Sequence, residues 1–442
     1  MKSILIANRG EIAVRIIRTC RDMGLRSVAV FSEVDRDALH VQFADEAYCI
    51  GPGPASKSYL SIPAILSVAY VAKVDAIHPG YGFLSENAEF ARICEECGFI
   101  FIGPRPAEMK ALGDKVSARR IARAAGVPTL EGSEPLLSVD DALARAGAVG
   151  FPVLFKAGAG GGGRGMRVAR DDREVAAFFP VVESEAKAAF GDSAVYVEKY
   201  LEAARHIEVQ VVGDARGNVV HLFERDCSIQ RRHQKVIEEA PAHGLTAKDR
   251  ETLGGYAVKL LKETGYRNAG TLEFLRNGDG KFYFLEMNTR LQVEHPVTEA
   301  VTGVDLVGWQ IAVARGEALP LKQGDIALSG HAIEFRINAE DSERFRPSSG
   351  RLETWRPPGG PGVRLDAGVA AGAVVSPHYD SLLAKLIVSG ATRDEAMARA
   401  VRALREFEAT GIATNISLHA RVVAEEKWRR GDVTTRYLEP AR

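Results

Sequence analysis

Cysteine is scarce in this sequence of 442 residues, which contains five: Cys20, Cys49, Cys94, Cys97 and Cys227. So small and odd a number in a long chain predicts reduced thiols rather than a disulfide framework. Cys94 and Cys97 have the C-x-x-C spacing of a zinc site, but no second pair of ligands lies near them in the sequence. We interpret them as two residues one turn apart on a helix.

Long apolar runs and an excess of either charge are also missing. No apolar segment reaches the roughly 18 residues that a membrane span requires, and the N-terminus lacks the features of a signal peptide. Lys and Arg total 57 against 58 Asp and Glu, a balance that does not indicate binding to nucleic acid or to a membrane surface. We therefore expect a cytoplasmic protein without nucleic-acid or membrane partners, in which local basic clusters hold any anionic ligand.

The length of the chain exceeds what one hydrophobic core can hold and predicts two or three domains. Over about the first 110 residues, short apolar runs alternate with helical patterns, which predicts a parallel α/β sheet with ligands at the carboxyl ends of its strands. The strands predicted there cover 4–7, 27–31, 76–78 and 99–102. Farther along, we expect helices over 298–315, 393–408 and 416–428.

A glycine-rich loop is the strongest local signal. Six of the eight residues from 158 to 165 are glycine, with Lys156 just before them. Such a loop can bring backbone N–H groups close to phosphates. A flexible linker would be polar on both sides, whereas strand-like segments at 152–155 and 166–168 flank this loop. We therefore predict phosphate binding.

A second signal is an alternation of polar side chains at Glu286, Asn288, Arg290, Gln292 and Glu294. If the chain is extended there, all five project to one face. The run continues from the apolar residues 282–285, so it predicts one wall of a cleft. Glu286 and Asn288 offer the oxygen ligands that Mg²⁺ prefers.

Three further features belong to the same analysis. Glu273 is a carboxylate within an apolar strand and requires a cationic partner, which is either a metal ion or a basic side chain. Arg336 alternates with apolar residues over 331–338 and suits an oxyanion or phosphate. Residues 231–235 hold three basic residues and a histidine, which suggests an anion site or, alternatively, a solvated loop.

Taken in order, these stretches resemble the ATP-grasp superfamily and, within it, the biotin carboxylases. The resemblance rests on residues 7–15, 78–87, 113–115, 156–166, 224–239, 286–298, 336–340 and 379–381 and covers nearly the whole chain. It implies an α/β fold, α+β in parts. The expected domains are an N-terminal parallel-sheet domain over 1–112, an ATP-grasp domain over 113–325 with a mobile lid at about 131–203, and a C-terminal biotin carboxylase domain over 326–442.

The resemblance also implies roles for individual residues. The nucleotide contacts it implies are Lys115, Lys156, Gly160, Gly161, Gly162, Gly163, Glu198, Lys199, Tyr200, Leu201, His206, Gln230, His233 and Leu275, with Glu273 and Glu286. The implied metal ligands are Glu273, Glu286 and Asn288. The implied bicarbonate contacts are Lys235, Arg290, Gln292 and Val293, and those near biotin are Tyr81, Gly82 and Arg336. The implied catalytic residues are Glu294 as base, Arg336, Arg290 and Lys235.

The implied activity is the carboxylation of biotin through carboxyphosphate, by a ligase that forms a C–N bond and releases ADP. It would use ATP, bicarbonate, two Mg²⁺ or Mn²⁺ ions, and biotin held on a carrier. The acetyl-CoA carboxylase of fatty acid synthesis is the expected host, and a propionyl-CoA, pyruvate or other acyl-CoA carboxylase stays open. The sequence ends at Arg442 without a biotinyl or carboxyltransferase region. We therefore expect a homodimer served by a separate biotin carboxyl carrier protein and carboxyltransferase subunits.

Two other functions are weighed against this one. Another ATP-grasp ligase would use an amine or thiol acceptor. A non-catalytic nucleotide-binding protein on the same scaffold would be expected to lose Glu294, Arg336 or a metal carboxylate, and the sequence retains all of them.

Overall fold

The computed structural model of this chain describes residues 1–157, 166–191 and 193–439. The predicted phosphate-binding residues Gly160, Gly161, Gly162 and Gly163 lie outside these ranges. All five cysteines are free thiols, as predicted. Among the described helices, none combines the length and the apolar composition that a membrane crossing requires.

The N-terminal part of the chain forms a five-stranded parallel sheet in the order β3-β2-β1-β4-β5. On the central strand, Ile4, Leu5 and Ile6 are fully buried, as expected where both faces of a parallel sheet are covered. The prediction of a parallel α/β sheet is confirmed. The elements are β1 (Ser3–Ile6), α1 (Gly10–Asp22), β2 (Arg26–Phe31), α2 (Leu39–Phe43), β3 (Glu46–Cys49), α3 (Ile62–Val71), β4 (Ala76–His78), α4 (Ala88–Glu96) and β5 (Ile100–Phe101).

The next part is a three-stranded antiparallel sheet in the order β7-β6-β8, with helices α7 and α8 packed against it. Its core includes Phe155 and Phe179, whose rings lie 6.3 Å apart. The elements are α5 (Pro106–Gly113), α6 (Lys115–Ala124), α7 (Val139–Val149), β6 (Val153–Ala157), β7 (Met166–Ala169), α8 (Asp172–Phe190) and β8 (Val195–Lys199).

The rest of the chain builds an eight-stranded antiparallel sheet in the order β13-β12-β9-β10-β11-β14-β19-β17, with two small antiparallel pairs, β15-β18 and β16-β20. This sheet runs across the expected border at 325/326, so the domain limits drawn from the sequence, including the lid, stay predictions. The elements are β9 (Arg205–Gly213), β10 (Val219–Arg231), β11 (Gln234–Ala240), α9 (Ala247–Thr264), β12 (Asn268–Arg276), β13 (Phe282–Asn288), α10 (His295–Thr302), α11 (Leu306–Ala314), β14 (His331–Asn338), β15 (Gly350–Arg351), β16 (Thr354–Arg356), β17 (Val363–Ala367), β18 (Val374–Val375), β19 (Leu382–Gly390), α12 (Arg393–Glu406), β20 (Glu408–Thr410), α13 (Ile416–Ala424) and α14 (Glu426–Arg430).

Two of the predicted helices are each divided in two. The helix expected over 298–315 breaks at Gly303, which has a φ of 71° and ends α10 in the left-handed conformation that glycine favours. Asp305 then caps α11 by accepting a hydrogen bond from Gly308 N–H. The helix expected over 416–428 breaks at Glu425, whose backbone is extended. Strand β3 was not identified from the sequence.

Candidate active site

A cleft with a volume of about 1590 Å³ lies where segments from the five-stranded, three-stranded and eight-stranded sheets meet. All the described residues predicted for the site line it except Glu294, although their roles stay predictions. These lining residues are Tyr81, Gly82, Lys115, Lys156, Glu198, Lys199, Tyr200, Leu201, His206, Gln230, His233, Lys235, Glu273, Leu275, Glu286, Asn288, Arg290, Gln292, Val293 and Arg336.

Three carboxylates form a row across adjacent strands, with Glu273 and Glu286 lining the cleft and Glu208 fully buried. In the register of the sheet, Glu273 on β12 lies directly opposite Glu208 on β9 and Glu286 on β13. Like charges in such positions repel each other unless cations intervene. Lys235 Nζ donates hydrogen bonds to Glu208 Oε2 at 2.5 Å and to Glu273 Oε1 at 2.9 Å, and Lys115 Nζ lies 3.2 Å from Glu286 Oε2. The basic partner predicted as one alternative for Glu273 is therefore Lys235.

A β-bulge sets the direction of Glu286. Glu273 pairs with Glu286, but the next residue, Phe274, pairs with Phe284, so Leu285 is an extra residue in β13. Such a bulge reverses the alternation of side chains along one strand. As a result, Phe284 is buried against Phe274 in the core, while Glu286 lines the cleft.

The expected extended run from Glu286 to Glu294 ends early, because β13 stops at Asn288. Turns follow, and Glu294 is the N-cap residue of α10. Arg290 organises this non-strand segment: its guanidinium donates hydrogen bonds of 2.9 Å to both Asn288 Oδ1 and Gln292 Oε1, and of 2.8 Å to Glu86 Oε2. Hydrogen bonds from Arg290, and not the alternation of an extended strand, therefore bring the side chains of Asn288 and Gln292 together.

Glu294 lies behind the cleft wall, fully buried, between two cations. Its Oε1 accepts a 2.6 Å hydrogen bond from Lys235 Nζ, and its Oε2 accepts a 2.9 Å hydrogen bond from Arg336 Nη2. Burial opposes ionisation, but Lys235, Arg336 and Arg225 together hold the pKa of Glu294 well below its usual range. The carboxyl is therefore ionised while these contacts persist.

Arg336 joins Glu294 to a second buried carboxyl. Its Nε donates a 2.5 Å hydrogen bond to Glu238 Oε1. Burial raises the pKa of Glu238 to about 7, with Glu294 adding to the effect and Arg336 opposing it. One nitrogen, Nη1, has no hydrogen bond to these two carboxylates, and the guanidinium lines the cleft. Arg336 can thus bind an anion in the cleft while its hydrogen bonds to Glu294 and Glu238 hold the guanidinium in place.

Glu273, Glu286 and Asn288 fit a magnesium site by the chemistry of their donor atoms. Both carboxylates line the cleft side by side, and such oxygen ligands are those that Mg²⁺ prefers. Asn288 Nδ2 donates a 2.9 Å hydrogen bond to Glu273 Oε1, which orients the amide. Its Oδ1 accepts from Arg290 and retains a second lone pair.

The far end of the cleft collects the predicted nucleotide residues. Lys156 Nζ lies 2.6 Å from Glu198 Oε2, and Arg119 forms a second ion pair with the same carboxylate. The ammonium of Lys199 donates to the carbonyls of Gly150 and Phe151 at 2.8 and 2.7 Å. Lys199 therefore offers mainly its backbone to a ligand in the cleft.

The basic run at 231–235 forms the tip of a β-hairpin, at which Arg232, His233 and Gln234 are exposed to solvent. Strands β10 and β11 are joined by Arg232 and His233, whose φ angles are 50° and 64°. Two successive residues with positive φ make the tight turn that matches the twist of a hairpin. Non-glycine residues seldom adopt this backbone, and such strain concentrates at functional sites. The tip brings His233 to the cleft and positions Lys235 on the adjacent strand.

Three family models match the chain. They are the biotin carboxylase N-terminal domain over residues 1–109, the ATP-binding domain of the carbamoyl-phosphate synthase L chain over 114–322, and the biotin carboxylase C-terminal domain over 334–440. The chain belongs to the biotin carboxylase family.

Individual relatives agree with this assignment over the full length. A biotin carboxylase of Nostoc sp. is 53% identical over 438 residues, which are 99% of this chain and 98% of that protein. The structure of a Campylobacter jejuni biotin carboxylase in a beta-gamma-ATP complex has a TM-score of 0.97 at 47% identity and covers 100% of this chain and 99% of that one. The biotin carboxylase domain dimer of the Hydrogenobacter thermophilus 2-oxoglutarate carboxylase, in complex with MgADP, ADP and bicarbonate, has a TM-score of 0.96 at 48% identity and covers 99% of this chain and 97% of that one.

Several residues around this biotin carboxylase site were not identified from the sequence: Glu208, Arg225, Glu238 and Arg119. Arg225 is fully buried, and its Nε donates a 2.5 Å hydrogen bond to Glu208 Oε1. A signal for Glu208 was present, because His206, Glu208 and Gln210 alternate with apolar residues as residues 286–294 do. The partners of Glu238 and Arg119 come from distant segments, so no local pattern marks them.

Proposed function

We propose that this chain carboxylates biotin with ATP and bicarbonate, as a ligase that forms a C–N bond and releases ADP. The observation that supports this most strongly is the placement of Glu294 between Lys235 and Arg336, at the edge of a cleft floored by Glu273 and Glu286. A buried base between two cations suits the deprotonation of an anion. The adjacent carboxylate row suits a metal-bound triphosphate.

The phosphate end of the reaction depends on charge neutralisation. Lys115 and Lys156 would bind the phosphoryl oxygens of ATP, where negative charge develops as the γ-phosphoryl group is transferred. Glu273, Glu286 and Asn288 would hold two Mg²⁺ or Mn²⁺ ions, which supply further neutralisation of the phosphates. The glycines at 160–163 would close over the phosphates, and Tyr200 and Leu201 would contact the adenine.

The bicarbonate end requires Glu294 to become a better base than its contacts now allow. A bicarbonate ion held by Lys235, Arg290, Gln292 and Val293 would attract hydrogen bonds from the two cations that hold the Glu294 carboxylate. Weakening those bonds raises the pKa of Glu294 towards that of a working base. Glu294 would then take the bicarbonate proton as the oxygen attacks the γ-phosphorus and ADP leaves.

The second half of the reaction, in which biotin accepts the carboxyl group, follows from the same geometry. Carboxyphosphate would break down to CO₂ and phosphate, and the phosphate would remove the N–H proton of the biotin ureido group. Arg336 would stabilise the negative charge that then develops on the ureido oxygen. Tyr81 and Gly82, which follow β4 at the cleft, would contact the biotin ring. The biotin nitrogen attacks CO₂, which completes the C–N bond.

The same proposal covers the assembly. We expect a cytoplasmic homodimer that acts on biotin held by a biotin carboxyl carrier protein and supplies separate carboxyltransferase subunits. The expected host is acetyl-CoA carboxylase. A propionyl-CoA, pyruvate or other acyl-CoA carboxylase is the alternative, since the acceptor is chosen by the carboxyltransferase and not by the cleft described here.

The experiment is the transfer of label from [¹⁴C]bicarbonate to free biotin or to a biotinylated carrier protein, in the presence of ATP and Mg²⁺. Acid-labile, ATP-dependent carboxybiotin from the wild type and about 100-fold less from Glu294→Gln is the expected result. ATP turnover that responds to an amine or thiol acceptor, with no labelled biotin, would establish a different ATP-grasp ligase. Nucleotide binding without any turnover would establish a non-catalytic protein.

A further inference from the structure

Lys385 on β19 is a lysine with a fully buried side chain, close to the site but outside the cleft. A buried ammonium is costly unless its hydrogen bonds are satisfied and its charge is paired. Its side chain reaches two other segments of the chain. Lys385 Nζ lies 3.0 Å from Glu11 Oε2 on α1 and donates a 3.0 Å hydrogen bond to the carbonyl oxygen of Val293.

The same ammonium lies 5.7 Å from the centre of the Tyr81 ring. In addition, Lys385 is the register partner of Arg336 on the adjacent strand β14. A single fully buried group therefore touches or adjoins the segments that carry Tyr81, Val293 and Arg336.

The contact with Val293 bears directly on Glu294. A carbonyl oxygen that accepts a hydrogen bond from a fixed cation holds its peptide plane, and this plane joins Val293 to Glu294. Glu294 is the N-cap residue of α10, so the peptide plane before it sets the direction from which its side chain leaves the helix. The carboxylate itself must stay within hydrogen-bond distance of both Lys235 and Arg336.

We propose that Lys385 is a positioning residue for the base Glu294, and that it acts through the Val293 carbonyl. This inference rests on the proposed function, in which Glu294 takes the bicarbonate proton. Glu11 contacts the Lys385 ammonium from α1 and does not position the base. Displacing a catalytic group by about 1 Å can lower a rate by about 100-fold without preventing substrate binding. Loss of Lys385 therefore lowers the rate of catalysis and spares nucleotide affinity.

The test compares Glu11→Gln with the double variant K385M/E11Q. In Glu11→Gln, the amide replaces the carboxylate and Lys385 can still donate to Val293. In the double variant, both buried charges are removed together, so no unpaired carboxylate confuses the result. Three quantities are measured for each protein: kcat for bicarbonate-dependent ATP cleavage, KM for ATP, and Kd for ADP.

The expected result is a kcat within about threefold of wild type for Glu11→Gln and at least about tenfold lower for K385M/E11Q. KM for ATP and Kd for ADP should stay within about threefold in both proteins. Equal kcat values for the two variants would overturn the proposal, and so would a loss in Glu11→Gln as large as that in the double variant. A general loss of structure would change Kd for ADP in parallel with kcat and would also contradict it.

If K385M/E11Q does not fold, K385L/E11Q provides the same comparison with another side chain that cannot donate a hydrogen bond to the Val293 carbonyl. A large loss of kcat in Glu11→Gln would contradict the proposal in either case. Failure of the proposed function is distinguishable, because it is seen in the wild type as the absence of labelled carboxybiotin. Failure of the inference is seen in the variants instead, as any of the contradicting results named above, while the wild type still forms carboxybiotin.

Discussion

Arg336 Nη2 donates a 2.9 Å hydrogen bond to Glu294 Oε2, and the same guanidinium donates through Nε to Glu238 Oε1 at 2.5 Å. The residue proposed to stabilise the biotin anion is thus also a partner of the residue proposed to deprotonate bicarbonate. Arg336 helps to keep Glu294 ionised, and Glu294 in turn helps to hold the guanidinium in place. A substrate that contacts either Arg336 or Glu294 therefore alters the hydrogen bond between them and, with it, the reactivity of the other side chain.

Replacing Lys235 with methionine should both inactivate and destabilise the protein. Lys235 compensates three buried carboxylates, and removing one partner from a buried ion pair costs about 3–5 kcal/mol of unfolding free energy. Urea denaturation of Lys235→Met, Lys235→Met/Glu294→Gln and wild type measures this directly. The double variant should regain part of the loss, because one uncompensated carboxylate becomes neutral.

The control for this prediction is Lys281→Met, whose side chain is 71% exposed and pairs with Asp279 at the surface. An exposed pair contributes at most about 1 kcal/mol. If Lys235→Met were as stable as this control, the buried cluster would not hold its carboxylates in the way described.

Replacing Glu286 with glutamine should weaken the binding of the metal. Glu286 and Glu273 lie opposite each other in register, and loss of one charged ligand lowers metal affinity by about tenfold or more. The measurements are the Mg²⁺ concentration that gives half-maximal ATP cleavage and Kd for ADP with and without Mg²⁺. Glu263→Gln, at an exposed position on α9, serves as the control. If Glu286→Gln required the same Mg²⁺ concentration as wild type, Glu286 would not be a metal ligand.

Stability should depend on pH through Glu11. Burial raises the pKa of Glu11 to about 7, with Asp366 and Asp380 adding to the effect and Lys385 opposing it. Because the folded state holds this proton more tightly than the unfolded state, wild-type stability falls as pH rises from about 4.5 to 7. Glutamine does not titrate. The unfolding free energy of Glu11→Gln should therefore rise relative to that of wild type as the pH increases over this interval.

The expected gain in unfolding free energy is on the order of 3 kcal/mol. Urea midpoints of both proteins at several pH values between 5 and 8 provide the measurement. A difference that stays constant over this interval would mean that Glu11 ionises in the folded state as it does in the unfolded chain.

Much of the fold could be predicted from sequence where one local pattern dominates. Apolar runs flanked by helices identified β1, β2 and β4, because strands buried on both faces contain few polar residues. Strand β3 was missed because Glu46–Cys49 is only four residues long, begins with a charged residue and is incompletely buried at the edge of the sheet. The break at Gly303 was missed because one glycine inside an apolar helical pattern is compatible with a continuous helix.

The residues of the candidate site likewise fall into those that a local sequence pattern reveals and those that only the folded chain brings together. Glu286, Asn288 and Arg336 were found because their alternation is local. The bulge at Leu285 could not be inferred, since it depends on pairing with β12. Lys235 as the shared partner of Glu208, Glu273 and Glu294 depends on segments up to 59 residues away. Lys385 was missed for a similar reason, because its partners Glu11 and Val293 become neighbours only in the folded chain.

The most direct test of the account is the rate of bicarbonate-dependent ADP formation with and without free biotin, in wild type and in Arg336→Ala, with exposed Arg421→Ala as control. We expect biotin to accelerate ADP formation by wild type and by Arg421→Ala. Arg336→Ala should lose most biotin carboxylation while still binding ADP. If neither biotin nor a biotinylated carrier accelerates the wild type, or if Arg336→Ala carboxylates biotin at the wild-type rate, the assignment of this site to biotin is contradicted.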